Sequence, residues 1–271
     1  MKMTMIPRLI TILLITLLLA GCATSPTGRT QLMLVSEESA IASSRQAYLS
    51  TVKQLDDAGK LEENWVINKR VEVITGQLIT EAIKMRPDTA DWEWSVVVID
   101  DPKTINAWCM AGGRMAIYTG LIKQVDPTDD ELAQVMAHEI SHALAKHTAE
   151  KMSMQVATSV GVAAVGIASD NTGLALSGAA LTAMLAVNLP NSRAAEKEAD
   201  RIGIELAAKA GFDPAAAATL WDKMAKASKS GTPQWLSTHP DPENRQRELA
   251  RLEPEMQKYY CLLYTSPSPR D

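Results

Sequence analysis

The clearest pattern of hydrophobic and polar positions is an apolar stripe with helical period that follows Pro127. Thr128 and Glu131 have the spacing of a capping box, which marks the start of this helix. Its stripe consists of Leu132, Val135, Met136, Ile140, Ala143 and Leu144. Capping and stop residues predict further helices from a Ser36 cap to about Asp57, from Glu62 to Met85, from Ser192 to Ala210, from an Asp213 cap to about Ser228, and from Asn244 to Lys258.

A few segments have the pattern of strands instead. The run from Trp92 to Ile99 is rich in β-branched and aromatic residues, which is typical of a strand. Gly112 and Gly113 separate residues 107–111 from residues 114–119, and this arrangement predicts a β-hairpin. Helices with a few strands predict an α+β fold.

The N-terminus has the pattern of a lipoprotein signal peptide. Lys2 and Arg8 precede an eleven-residue apolar run over residues 9–19, which is too short for a comfortable membrane span. Leu19, Ala20, Gly21 and Cys22 then have the sequence of a bacterial lipobox. We therefore predict a signal peptide over residues 1–21 and a lipidated Cys22 with a spacer over residues 22–35. Ala23 favours the periplasmic face of the outer membrane.

The C-terminal residues 261–271 resemble the translation of a sequencing adapter, so residues 36–260 form the predicted folded domain. Without both ends, 239 residues remain, with 24 basic and 31 acidic side chains and a net charge of −7. An acidic chain without a basic block is a poor nucleic-acid binder. Of the three cysteines, only Cys109 lies inside this domain, so no internal disulfide is expected.

Residues 153–189 are rich in Ala, Gly, Ser and Val, and their only charged residue is Asp170. Small-residue helices packed over the core, a mobile flap, or a membrane-associated segment would each fit this composition. Glycine and polar residues interrupt each half, which argues against a membrane-spanning helix.

The stripe helix carries His138, Glu139 and His142. Positions i and i+4 differ by about 40° around a helix, so both imidazoles project from one face. Such a pair can chelate Zn²⁺, and the adjacent Glu139 can deprotonate water. His147 would point away from this face on a continuing helix, and we interpret it as a structural or surface residue.

A catalytic zinc site needs a third protein ligand. Glu196 and Asp200 are again i and i+4, so one carboxylate can bind zinc while the other accepts a hydrogen bond from a ligating imidazole. Glu198 lies about 200° around the helix from Glu196 and does not share that face.

These motifs resemble the HtpX and CAAX-prenyl-protease type of zinc metallopeptidase, and more closely its soluble periplasmic lipoprotein and Oma-like branch. The resemblance covers nearly the whole mature chain. It includes the zinc motif and residues 27–32, 106–113, 117–122 and 237–240 together with Arg245. Ala111 is a departure, because relatives often carry Pro before the glycine pair.

The resemblance implies a zincin-like domain, with a small β-sheet edging the active-site cleft, that holds one Zn²⁺ through His138, His142 and Glu196. It implies that Glu139 is the general base, that Asp200 orients a ligand, and that His239 and Arg245 stabilise developing charge. In some periplasmic relatives the histidine that corresponds to His239 can instead cap the zinc and hold the enzyme latent. It also implies that an extended substrate backbone pairs, as an added strand, with the segment of Asn106, Ala107, Trp108, Cys109, Met110 and Ala111.

We therefore expect a zinc endopeptidase that cleaves unfolded or misassembled envelope proteins. An alternative is a latent protease that acts mainly as a chaperone or assembly factor for outer-membrane proteins. The resemblance also suggests the outer-membrane assembly machinery as a partner. The lipid on Cys22 would attach the protein to the membrane. Nucleic acid is not expected as a partner.

Overall fold

The structure is a computed structural model that describes the backbone of residues 22–168, 174–227, 239 and 242–265, and their side chains except those of residues 161–191, 242–243 and 262–265. The strands are β1 Cys22–Thr24, β2 Thr30–Leu32, β3 Ser95–Ile99, β4 Ala107–Met110 and β5 Arg114–Tyr118. The helices are α1 Glu37–Asp57, α2 Trp65–Met85, α3 Asp129–Leu144, α4 His147–Ala168, α5 Leu174–Lys209, α6 Ala216–Ala227 and α7 Pro242–Thr265.

The described part of the chain is mostly helical with two small sheets, which confirms the predicted α+β, zincin-like class. It divides into two compact units. The first unit contains residues up to Ala40 together with Lys146–Ser192, and the second contains Ile41–Ala145 together with the residues from Arg193 onward. The predicted signal peptide and the last six residues of the adapter-like segment lie outside the described residues.

Helix α3 is the centre of the second unit. Its N-terminus has the predicted capping box, and nearly all of its side chains are buried. It packs against α2, α6 and strand β4. A helix buried on every side needs apolar residues outside a single stripe, and Ala133 and Ala137 meet this need with small side chains.

The predicted hairpin around the glycine pair is confirmed. Strands β4 and β5 pair antiparallel, with Ala107 opposite Ile117, and β5 also pairs in parallel with β3. The order β3-β5-β4 makes β4 an edge strand of this sheet. Gly112 and Gly113 have φ angles of 86° and 80°, which favour glycine in the turn.

One helix and one strand begin a few residues later in the chain than predicted. Helix α2 begins at Trp65, not at Glu62, because the Asn64 side chain accepts hydrogen bonds from the two amides that follow Trp65. Strand β3 begins at Ser95, not at Trp92. The Trp94 indole N–H donates to the carbonyl of Thr89 at 2.9 Å, so this aromatic pair belongs to the turn before the strand.

Two predicted helix boundaries differ as well. The helix predicted from Ser192 is the end of α5, which starts at Leu174 and continues through Pro190. Proline removes one hydrogen bond, which a long helix can tolerate with a kink. Helix α3 ends at Leu144, and Lys146 has a φ of 59°. The prediction that this helix continues to His147 is therefore wrong.

The first unit contains a β-hairpin in the segment that we predicted as a spacer. Strands β1 and β2 pair antiparallel, with Cys22 opposite Leu32. Arg29 donates two hydrogen bonds of 2.6 Å to the buried carboxylate of Glu150 on α4. Part of the segment is therefore fixed to a helix and is not an extended linker.

Among the described residues, none of the helices combines the length and the apolar composition of a membrane-spanning segment.

Candidate metal centre

Helix α3 fixes the first two side chains of the site. The Thr128 hydroxyl accepts the Glu131 N–H, and the Glu131 carboxylate accepts the Thr128 N–H. This capping box defines where the helix starts and therefore which face points inward. As predicted, His138 and His142 lie one turn apart on one face, with their Nε2 atoms separated by 3.1 Å.

Helix α5 brings a carboxylate to the same two nitrogens. The Glu196 oxygens lie 3.4 Å from His138 Nε2 and 3.6 Å from His142 Nε2. Asp200, one turn later, lies 3.1 Å from Nδ1 of His138. Because Asp200 accepts the proton of Nδ1, it orients the ring so that Nε2 of His138 faces Glu196 and His142 and can serve as a metal ligand when it is deprotonated.

His239 completes a group of four side chains whose donor atoms lie within 4.8 Å of one another: His138, His142, Glu196 and His239. Nδ1 of His239 lies 2.8 Å from Glu196 and 3.2 Å from His138. Its other nitrogen, Nε2, lies 3.4 Å from a carboxylate oxygen of the buried Glu139. His239 therefore stands between the donor atoms and the expected general base.

Arg245, on α7, lies next to the carboxylates of the site. Its Nε donates to Asp200 at 2.8 Å, and Nη1 lies 3.1 Å from Glu196. Its guanidinium carbon lies 4.4 Å from the centre of the Trp221 ring on α6, which is a cation–π contact. Arg245 is 4% exposed, so its charge is compensated almost entirely by protein groups.

The charges of the site favour a bound cation. Burial is the largest influence on the pKa of His138 and lowers it, but hydrogen bonds to Asp200 and Glu196 outweigh burial and raise this pKa to about 9. Burial opposes ionisation of Glu196, yet hydrogen bonds from His138 and His239 hold its pKa well below the usual range. The carboxylates are therefore ionised, and a metal ion can replace the imidazolium proton.

The size of the donor group fits zinc. Donors at about 2.0–2.2 Å from a tetrahedral zinc ion are separated from one another by roughly 3.3 Å. The separations of 3.1, 3.4 and 3.6 Å among His138, His142 and Glu196 are close to this value. Two imidazole nitrogens with a carboxylate oxygen are also the donor chemistry of catalytic zinc sites. The residues present therefore fit a zinc ion.

The segment predicted to pair with substrate is the edge strand β4, which packs on α3. Ala107 and Cys109 point to the buried face, and burial together with the Glu139 charge raises the pKa of the Cys109 thiol. Asn106, just before the strand, is buried, and its Oδ1 has no hydrogen-bond partner among the described residues. Trp108 and Met110 are half-buried on the other face, and Ala111 is buried in the turn.

The remaining predicted residues lie elsewhere. Cys22 is exposed at the start of β1. His147 is buried at the start of α4 in the first unit and is not part of the four-residue donor group. Residues 237, 238 and 240 of the resemblance lie outside the described residues. Glu198 is buried, although its position on the helix excludes it from the face of Glu196.

Sequence reasoning missed Trp221 and Gly203. Trp221 lies in an ordinary amphipathic helix, and nothing local distinguishes it from a core residue. Gly203 is seven residues after Glu196 and therefore on the same helical face. A glycine in a helix interior is unfavourable locally and is a sign of a close contact, which was the available signal.

Comparison with known proteins gives one family. The sequence model of peptidase family M48 matches residues 67–253. Metalloendopeptidase OMA1 of Bos taurus is 32% identical over 260 residues, which cover 90% of this chain and 49% of that protein. The putative beta-barrel assembly-enhancing protease of Vibrio cholerae is 32% identical over 203 residues, which cover 70% of this chain and 40% of that protein.

A mitochondrial metalloendopeptidase OMA1 from Schizosaccharomyces pombe is 38% identical over 170 residues, which cover 62% of this chain and 49% of that protein. The chain thus spans about half, or less, of the length of these curated relatives. The matches include both OMA1 and assembly-enhancing proteases, which confirms the Oma-like resemblance. The chain belongs to peptidase family M48.

Proposed function

We propose that this protein is a zinc metalloendopeptidase. The observation that carries the proposal is the convergence of His138, His142 and Glu196 within ligand-to-ligand distances, with Glu139 next to His138 on the same buried helix. The family and the names of the relatives support the same reaction class.

His138, His142 and Glu196 would hold the ion. A bound zinc ion polarises the scissile carbonyl and increases the acidity of water. Glu139 accepts a proton from the attacking water and passes it to the leaving amine. Asp200 fixes the orientation of His138 through the Nδ1 hydrogen bond at 3.1 Å.

Arg245 acts as a positioning residue in this proposal. It contacts Asp200, Glu196 and Trp221, so it keeps the two carboxylates ionised and in place, and its Nη2 also lies 3.1 Å from Nδ1 of His138. Charge on the reacting carbonyl is stabilised instead by His239, whose Nε2 lies 3.4 Å from Glu139 and therefore near the reacting groups.

The substrate would be an extended segment that adds a strand to β4. An edge strand offers unpaired N–H and C=O groups, and main-chain hydrogen bonds give affinity without a strict sequence requirement. The Oδ1 atom of Asn106 is a buried acceptor that a substrate N–H can satisfy. This mode suits unfolded chains, because folded proteins rarely present a free extended strand.

The biological setting is an extension of the same proposal. The segment before Cys22 supports secretion and lipidation, which would anchor the protein at the periplasmic face of the outer membrane. The substrates would be unfolded or misassembled envelope proteins. The assembly-enhancing proteases of Vibrio cholerae and Yersinia pestis among the relatives support a link to outer-membrane assembly.

A second candidate is a latent protease that acts mainly as a chaperone or assembly factor. The position of His239 favours it, because Nδ1 already lies 2.8 Å from Glu196 and 3.2 Å from His138. A fourth protein donor there would occupy the position that a catalytic zinc site leaves open.

The first experiment measures zinc content and cleavage of unfolded casein by the chain from residue 23 onward and by its Glu139→Gln variant. One zinc per chain in both proteins, with cleavage in the wild type only, is the expected result. Zinc without cleavage in either protein would favour the latent candidate. A wild-type chain without zinc after purification in the absence of chelators would contradict both.

A His239→Ala variant separates the two candidates. If His239 stabilises charge on the substrate, cleavage falls while zinc stays bound. If His239 closes the zinc site, cleavage rises above the wild-type rate. Both proteins are assayed on the same casein substrate, so their cleavage rates can be compared directly.

A further inference from the structure

Helix α5 presents three residues of the second unit on one face towards α3. Glu196, Asp200 and Gly203 are spaced i, i+4 and i+7, so they lie within about 40–60° of one another around the helix. The first two contact His138 through their carboxylates. The third has no side chain.

Gly203 lies directly against the backbone of the zinc-binding helix. A Cβ atom at Gly203 would be 3.0 Å from both Cα and N of His138, and 3.3 Å from the carbonyl carbon of Ala137. Real Cβ atoms seldom come this close to other heavy atoms, and these neighbours are backbone atoms that cannot rotate away. Any larger residue at this position therefore requires the backbone of α3 to shift by a few tenths of an ångström.

The glycine is not required by its own backbone. It lies inside α5, and its φ angle is not in the left-handed region that favours glycine. Glycine in a helix interior is less favourable than alanine by roughly 0.5–1 kcal/mol. The local sequence thus carries a penalty that only the approach of the two helices explains.

We propose that Gly203 is a positioning residue of the metal site. Its missing side chain lets α5 approach α3 closely enough for Asp200 to reach Nδ1 of His138 at 3.1 Å. The same approach brings Glu196 within 3.4 Å of Nε2 on this ring. The proposal rests on the zinc-binding role assigned to these side chains above.

An alanine at position 203 would move the helices apart. An ordinary contact of 3.4–4 Å requires a displacement of several tenths of an ångström from the present 3.0 Å. The hydrogen bond from His138 to Asp200 and the position of Glu196 would both change by a similar amount. Zinc sites are sensitive to such changes, because loss of an orienting partner lowers metal affinity by about 10- to 100-fold.

The test compares Gly203→Ala with Gly76→Ala in the full chain. Gly76 is also inside a helix, α2, but a Cβ atom there would have no neighbour within 4 Å. Both substitutions gain the same helix propensity, so a general effect on helix stability is matched. Zinc affinity is measured by competition with a chelator, and the visible spectrum of the Co²⁺-substituted protein reports ligand geometry.

The expected result is a zinc affinity about 10- to 20-fold weaker and an altered Co²⁺ spectrum for Gly203→Ala, at the lower end of the range for disturbed zinc sites. Gly76→Ala should equal the wild type in both measurements. Thermal unfolding of the metal-free proteins should show a cooperative transition for both variants, with a midpoint lowered modestly for Gly203→Ala only, because the added methyl group strains the packing of α5 on α3.

Unchanged zinc affinity and an unchanged Co²⁺ spectrum in Gly203→Ala would overturn the proposal. Failure of the metal-free Gly203→Ala protein to fold would overturn it as well, since the contact would then serve the core and not the site. A wild-type chain that binds no zinc would instead contradict the proposed function, which keeps the two failures distinguishable.

Discussion

Glu150 in the first unit and Glu196 in the second are both buried carboxylates beside an arginine, yet their other neighbours differ. Glu150 accepts hydrogen bonds from both terminal nitrogens of Arg29 at 2.6 Å and from Gln31 at 2.9 Å. Glu196 has Arg245 at 3.1 Å and shares its remaining surroundings with three imidazoles. Fixed donors surround the first carboxylate, and groups that exchange protons surround the second.

This difference separates a structural ion pair from a binding site. Neither Arg29 nor Gln31 can lose its proton near neutral pH, so both stay hydrogen-bond donors to Glu150 and neither offers a nitrogen lone pair to a metal. The imidazoles around Glu196 can release protons, and their nitrogens then become metal donors. Burial and an arginine are common to both clusters, so it is the titratable donors that indicate function.

The largest expected effect is on the structural cluster. Glu150→Gln leaves Arg29, whose side chain is 20% exposed, beside a neutral group, and the loss of its charge-assisted hydrogen bonds should destabilise by about 2–3 kcal/mol. Hydrogen exchange of the β1–β2 amides, including Gly28 N–H, measures the effect locally. Glu248→Gln, in an exposed pair with Arg251, is the control and should change stability by less than about 1 kcal/mol. Unaltered exchange in the hairpin would contradict this interpretation.

The corresponding change at the metal site is Asp200→Asn. It replaces the charged acceptor of the His138 Nδ1 proton by a neutral amide oxygen, and zinc affinity should fall by about 10- to 100-fold. Zinc competition with a chelator measures the change. Asp57→Asn, an exposed carboxylate paired with Lys53, should leave zinc affinity unchanged. Equal affinity in the Asp200 variant would show that the comparison between the two clusters is wrong.

A third buried carboxylate, Glu131, tests the role of pH. Burial raises the pKa of Glu131, but the hydrogen bond from Lys223 at 2.6 Å and those from Thr128 and Thr219 together lower it. A lowered folded-state pKa contributes stability above the unfolded-state pKa of about 4.3, and this contribution is lost as pH falls through the folded-state value. Glu131→Gln should destabilise by about 1–2 kcal/mol at pH 7.

Denaturant unfolding of metal-free protein at pH 7 and at about pH 3 measures this difference. The difference in the free energy of unfolding between wild type and Glu131→Gln should become smaller at the lower pH, where the wild-type carboxylate begins to protonate. A difference that stays constant with pH would mean that the effect comes from packing and not from charge.

The smallest expected effect concerns the aromatic support of Arg245. Trp221→Leu removes the ring 4.4 Å from the guanidinium carbon, and the cation–π contact contributes about 1 kcal/mol. Zinc affinity should fall by about fivefold if Arg245 shifts and disturbs Asp200. Trp221→Phe keeps an aromatic face and should restore most of the affinity. Equal zinc affinities in the two variants would show that the aromatic ring of Trp221 does not stabilise the site.

Local features of the fold were predictable where short-range chemistry dominates. The capping box at Thr128, the one-face histidine pair, and the hairpin turn at Gly112 and Gly113 all depend on residues a few positions apart. Errors occurred where a local signal competes with tertiary packing. Pro190 suggested a helix boundary, but α5 continues through it. The composition of residues 22–35 also gave no sign of the hydrogen bonds between Arg29 and Glu150, which is 121 residues away.

The sequence by itself determined the reaction-bearing residue types, the helix that carries two of them, and the family. These properties follow from spacings of three or four residues, which the helix geometry converts directly into shared faces. Only the tertiary structure decided which distant groups meet: His239 with Glu139, Trp221 with Arg245, and Gly203 with the backbone of His138. The contacts of Gly203 and His239 join residues that are 65 and 100 positions apart, and Trp221 and Arg245 lie on separate helices. No local propensity encodes the distance or orientation of such contacts.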